Sequence, residues 1–318
     1  MSKRVGLLAT LGAFGGLVGS LLVLLIRSSV PTHSMAYFSC LFLSQTLFVI
    51  CIFYTAFGVR ETFVPSLIPT PGEATTEPMS LASIWQSTKS TVLGLTEVLT
   101  APRPGWTRFC LNLVILSTIA LNISIDTNNL LLFVKRAPFA WSDVRWTVFT
   151  IILGLVGTVG MGLVPAIVAQ TRLLGKDSFT IIIGLSTAVV QFLVYSLSYH
   201  SWMIYLAGSL QVISAALTPA YNTFIPKLVQ KEETARVYSL TSLVGSLVPV
   251  PSAMLFAVMF KATVDFWPGF AFCFCAAVLS LVLVTQIIVH FLMANTWKEE
   301  NATEGLVDSE ETEQDQPN

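Results

Sequence analysis

Runs of about 20 residues with almost no charge recur along this chain, and a segment of that kind has few places to go. In lipid no water satisfies backbone N–H and C=O groups, so each such run must close its hydrogen bonds within a helix. The runs lie at about 5–26, 37–57, 108–133, 146–170, 178–198, 202–225, 236–260 and 267–293. Only 11% of residues are charged and mean hydropathy is +0.74, whereas a soluble domain carries about 25% charged residues. The expected fold class is therefore all-α, a polytopic membrane protein with eight transmembrane helices. The first run follows Met-Ser-Lys-Arg directly and is too long for a signal-peptide core, so it reads as a span.

Composition shifts divide the chain further. Residues 1–57 hold two spans, and residues 58–106 turn to Pro, Ser, Thr and Glu. Within the latter, Leu81, Ile84, Trp85, Val92, Leu95 and Leu99 recur at helical spacing after Ser80, which predicts an amphipathic helix in a central loop. Residues 107–295 hold six more spans, and 296–318 form an acid-rich segment too poor in apolar residues to bury a core, expected to be a disordered tail. With the N-terminus inside, 12 Lys and Arg fall on the cytoplasmic side and 5 outside, so both termini are expected to be cytoplasmic. In the first span, Gly12/Gly16 and Gly15/Gly19 are small-residue pairs suited to close helix packing. A net charge of −1 offers no basic field for nucleic acid. Five cysteines lie in or beside apolar runs and build neither a disulfide framework nor a zinc site.

The chemistry must then come from polar groups inside spans. Of the 18 acids only Asp126 lies well inside an apolar run, and Asn122 and Thr118 precede it on the same helical face. Such an acid either serves a cavity or sits at the outer interface beside Asn128 and Asn129. Gln211, Ser214, Thr218 and Asn222 form a second stripe, read either as a water-filled path or as interhelical packing. Pro219, Pro226, Pro249 and Pro251 can loosen their helices. Gln191 shares a face with Tyr195, and Gln286 with His290, the latter read mainly as an interfacial anchor. Metalloprotease, P-loop and nucleophile-elbow motifs are absent from the sequence, as is a convergent pair of intramembrane acids. The expectation is that the chain is not an enzyme and takes no metal and no cofactor.

Several segments resemble solute carrier family 46, the proton-coupled folate transporter group of the major facilitator superfamily. Arg103-Pro104-Gly105-Trp106-Thr107-Arg108 is similar to the family's basic entry to helix seven, and Pro138-Phe139-Ala140-Trp141-Ser142 to the element in the following outer loop. Pro226-Lys227-Leu228-Val229 with Glu233 and Val237-Tyr238-Ser239 resembles the loop between helices ten and eleven. Ala262-Thr263-Val264 through Trp267-Pro268-Gly269-Phe270 resembles the entry to the last helix. Arg60-Glu61-Thr62 resembles the close of helix six, and Arg172 to Asp177 a gating loop between helices eight and nine.

That resemblance implies spans matching helices five to twelve of a twelve-helix transporter, with 1–57 as the last two helices of the N-terminal bundle and 107–295 as the C-terminal six-helix bundle. The first four helices are expected to be missing. Because a binding cleft needs two walls, the chain is expected to be an incomplete product, a splice form, or one that associates with another membrane chain, the first being favoured. It implies a proton-coupled secondary transporter of organic anions, pterins or small peptides working by alternating access, in the plasma or lysosomal membrane. Asn122, Asp126, Gln211, Thr218 and Asn222 would line the substrate and proton pathway, with Arg172, Lys176 and Asp177 in the gating loop. Asn222 stands where some members carry Arg. The rival reading is a non-transporting membrane scaffold or regulatory binding protein.

Overall fold

A computed structural model describes residues 2–29, 33–58, 106–124, 128–171, 175–229 and 233–314. The central loop and its amphipathic helix lie outside the described residues. All described regular structure is helical: α1 (Ser2–Ser29), α2 (His33–Gly58), α3 (Thr107–Ser124), α4 (Asn128–Lys135), α5 (Asp143–Gln170), α6 (Lys176–Ser196), α7 (Ser201–Ser209), α8 (Gln211–Ser214), α9 (Leu217–Phe224), a 3-10 turn (Ile225–Leu228), α10 (Thr234–Leu247), α11 (Pro249–Thr263) and α12 (Phe270–Gln314). Seven described segments have the length and composition to cross a membrane, as the sequence leads one to expect of a multi-pass protein. The eighth expected span, α1, is helical over 28 residues, and its apolar stretch Phe14–Ile26 is shorter.

The chain forms two compact units, one comprising Met1–Leu17 with Leu93–Asn318 and the other Val18–Val92. In the smaller unit α2 turns Phe38, Phe42, Phe48, Phe53 and Phe57 outward, a surface that suits acyl chains. Its threonines bond back one turn, Thr46 Oγ1 to the Phe42 carbonyl at 2.9 Å and Thr55 Oγ1 to that of Cys51 at 2.8 Å, so neither of these hydroxyls is left bare in lipid. An added Cβ at Gly12, Gly15 or Gly19 would meet no atom within 4 Å among the described residues, so the small-residue face of α1 is open.

In the larger unit, helix breaks sit where the sequence supplies a cause. The run expected to be one span over 108–133 is divided between α3 and α4, around residues outside the description. Ser124, Asn128 and Asn129 flank the division, residue types whose side chains compete for backbone hydrogen bonds. The 202–225 run is segmented at Leu210 and at Ala215–Ala216, and Pro219 removes one backbone donor just beyond. Pro249 opens α11 at the position where its missing N–H costs nothing. At the other extreme, α12 runs unbroken for 45 residues. The segment expected to be a disordered tail therefore begins as helix. Extending a helix already nucleated in the membrane avoids the nucleation cost, and Glu, Ala and Lys are good helix formers.

Three apolar clusters hold the bundle among the described residues, the smallest of them around Phe256, Ala271 and Cys275. At one end Leu111, Val114, Ile181, Leu185, Phe224 and Leu279 pack α3, α6, α9 and α12 together. At the other, Phe133, Phe139, Trp141, Phe149, Tyr195 and Phe272 form an aromatic layer. Lipid supplies no hydrophobic effect between helices, so dispersion contacts and ring edges carry this cohesion. Trp141, 3% exposed, donates its indole N–H to Ser201 Oγ at 2.9 Å and carries the Arg145 guanidinium 4.6 Å above its ring. Ser201→Ala will strip that donor of its partner. A loss of about 1 kcal/mol is expected, seen as a small drop in melting temperature in detergent.

Candidate functional site

Most hydroxyls in the bundle bond to their own helix: Thr118 to Val114, Ser124 to Ala120 and Thr187 to Ile183, each across four residues. The side chains that reach across to another helix therefore stand out. Gln191, 5% exposed, projects from α6 toward α8. Its Nε2 donates to Gln211 Oε1 at 3.0 Å, and its Oε1 accepts from Ser214 Oγ at 2.9 Å. One turn on, the Tyr195 hydroxyl lies 3.5 Å from the same amide nitrogen.

These groups border a cavity of about 70 Å³ closed on other sides by Leu130, Leu153, Ala188, Phe192, Leu217 and Phe272. Phe192 and Tyr195 pack on Phe272 with ring centroids 6.4 and 5.8 Å apart, which makes one wall aromatic. A space this size holds a few waters or one small polar group, far below the roughly 300–1,000 Å³ of a complete ligand pocket. Its polar groups are uncharged: two carboxamides, a serine and a phenol. Once the internal pairs are made, both N–H groups of the Gln211 amide and the Tyr195 O–H remain to be given, so the chamber suits a hydrogen-bond acceptor.

Glycines bring the walls close enough. A Cβ on Gly160 would fall 1.8 Å from the Val212 carbonyl oxygen, so α5 meets α8 backbone to backbone. At Gly157 a Cβ would touch Gln211 Cγ at 3.5 Å, an ordinary contact.

Of the pathway residues expected from sequence, Gln211 lies in this network. Asn122 is half-buried on α3 and donates its amide to the Thr118 carbonyl at 2.8 Å. Thr218 is exposed, and Asn222 is half-buried, its carbonyl accepting from the Tyr238 hydroxyl at 2.6 Å. Asp126 and Arg172 lie outside the described residues. Lys176 gives its ammonium to the Ala169 carbonyl at 2.9 Å, at the carbonyl end of α5, where a cation is favoured. Asp177, 14% exposed, pairs with Lys227 at 2.8 Å, joining the start of α6 to the 3-10 turn. Lys227 belongs to no expected site, although its place just after Pro226 at a span's end was visible. Gln191 was legible as a polar residue sharing a face with Tyr195, but its partners on α8 were not.

No family model matches the sequence. The chain is 23% identical, over 231 residues, to the probable peptidoglycan muropeptide transporter SLC46 of Drosophila melanogaster, an alignment that covers 69% of this chain and 42% of that protein. Its fold is similar to that of the human organic anion transporter MFSD10 (TETRAN), solved by crystallography, with a TM-score of 0.57 and 16% identity, covering 90% of this chain and 63% of the other. The chain thus spans less than half the length of the curated relative that it matches. Both proteins are membrane transporters rather than enzymes.

Proposed function

We propose that this chain, a multi-pass membrane protein similar to the solute carrier 46 transporters and to a major facilitator fold, works as a secondary active transporter of a small solute. The observation that carries the reading is the uncharged network of Gln191, Gln211, Ser214 and Tyr195 beside a cavity among membrane spans. Polar groups are costly at that depth and mark solute or ion pathways. Residues 1–57 and 107–295 serve as parts of the two bundles of an alternating-access transporter.

Donors left over in the chamber favour an acceptor-rich solute, an organic anion or a small peptide. The same classes are suggested by the names of the two transporters that this chain resembles. Asn122, Asp126, Thr218 and Asn222 extend the path along the helices, and Asp126 is the group that takes the coupling proton. The Asp177–Lys227 pair, with Lys176 and Arg172 beside it in sequence, acts as a latch at the cytoplasmic end. Both termini lie on that side.

The test is uptake by proteoliposomes holding the purified chain, with a labelled muropeptide and a labelled organic anion as probes. Uptake of one of them above empty liposomes, faster when the outside is acidic, is the expected result. Asp126→Asn should remove the acid stimulation and leave folding intact. A folded chain that moves neither probe at any pH gradient would overturn the reading in favour of a scaffold.

A further inference from the structure

A second polar cluster lies near the start of α6, between that helix and α12. Ser178, in the first turn of α6, is fully buried, and two side chains of α12 converge on its hydroxyl. Gln286 Nε2 donates to Ser178 Oγ at 3.0 Å, and His290 Nδ1 lies 3.2 Å from the same oxygen. Gln286 is 1% exposed, and its Oε1 has no hydrogen-bond partner among the described residues. A buried carbonyl left bare is expensive, and rotation of the amide opens a second arrangement in which Ser178 donates to it.

We infer that Ser178, Gln286 and His290 form a proton-binding site that joins the start of α6 to α12. Ser178 has one hydrogen and two neighbours. With Gln286 donating to its oxygen, that hydrogen goes to His290 Nδ1, so the imidazole is neutral and carries its own hydrogen on Nε2. A proton taken from water onto Nδ1 reverses the second bond: Nδ1–H then donates to Ser178 Oγ. The displaced hydroxyl hydrogen turns to Gln286, whose amide rotates to present Oε1. Both contacts survive, the carbonyl becomes an acceptor while the amide N–H group gives up Ser178 as its partner, and the cluster gains one positive charge. Histidine is the side chain suited to such uptake near neutrality.

Among the described residues, the charged groups at this end of the packed elements include Asp177 and Lys227, which neutralise each other, Lys176 on the Ala169 carbonyl, Arg108 at the start of α3, Glu233 and Arg236 at the start of α10, and Lys298 on α12. Asp177 adjoins Ser178 in the chain, so a charge on His290 arrives beside the Asp177–Lys227 pair. The site is distinct from Asp126 and does not depend on the transport reading.

Trp297 supplies the reporter, with its ring centroid 5.4 Å from that of His290. A protonated imidazole at that range quenches indole emission. The experiment follows tryptophan fluorescence of the full chain in detergent from about pH 8 to about pH 4.5, with the Trp297→Phe spectrum subtracted to isolate this ring. A one-proton fall in the Trp297 signal is expected, abolished in His290→Gln and displaced in Ser178→Ala, which keeps the imidazole and removes its partner. A signal flat with pH, or a titration that survives in His290→Gln, would overturn the inference. Should His290→Gln fail to fold, Ser178→Ala decides alone: a midpoint identical to the unsubstituted chain's refutes the shared hydroxyl.

Discussion

Gly160→Ala will cost the bundle about 3 kcal/mol, the upper end of the range for overpacked interiors. The added methyl would need the space held by the Val212 carbonyl, with its Cβ 1.8 Å from the oxygen and 2.6 Å from the carbon. Backbone cannot rotate aside as a side chain does, so α5 and α8 must separate. Separation loosens the dispersion contacts that hold helices together in lipid. It also moves Gln211 away from Gln191, which binds solute in the proposed function. The measurement is the melting temperature in detergent, followed by tryptophan emission, with Gly157→Ala as the control. That substitution makes only a 3.5 Å contact and should melt as the unsubstituted chain does. Equal melting of Gly160→Ala and the unsubstituted protein would show that the two helices are not in backbone contact.

Gln191→Leu keeps the side chain's bulk and removes both ends of the network. Ser214 loses its acceptor and Gln211 Oε1 its donor, the first buried and the second half-buried. An unpaired group of this kind costs about 1–3 kcal/mol, although cross-helix bonds in membranes average only about 0.6 kcal/mol. The loss in stability should therefore be modest and the loss in transport large. If the carboxamide orders the donors that meet the solute, uptake at low solute concentration should fall about tenfold or more, the effect of 1.4 kcal/mol. Ser214→Ala, which removes a single bond, should fall between the two. Uptake by Gln191→Leu at the unsubstituted rate would separate the network from the solute path.

The positions of most helices could be read from the chain because lipid imposes one rule at every span: long, apolar and uncharged. That rule acts on composition within a window, so it survives without knowledge of neighbours. It gave α2, α5 and α6 within a few residues. Because it carries nothing about neighbours, it did not place the breaks at Leu210 and Ala215–Ala216, although Pro219 marked that run as one that can loosen. The polar site was only half legible for the same reason. Gln211 and Thr218 look alike as members of one stripe, yet one turns to Gln191 and the other stays exposed. A hydroxyl or amide in a helix can bond back to its own turn, as Asn122 does, or across to a partner, as Ser214 does. Spacing within one helix cannot separate the two cases, because the choice is made by whatever stands opposite. The ion pair between Asp177 and Lys227 joins positions 50 residues apart in sequence, and half of it was missed.

The unbroken α12 has a mechanical consequence. Beyond Ala294, the last residue of its apolar span, the helix continues to Gln314, an arm of about 30 Å at 1.5 Å per residue. An arm of that length turns a tilt of about 10° at the membrane surface into a displacement of about 5 Å at its tip. Rotations of the bundle too small to alter any side-chain contact by much would therefore become distances measurable between labels. The chain carries its own pointer, continuous with the helix that packs on α6, and an outside observer or a binding partner could read the state of the bundle from where it points.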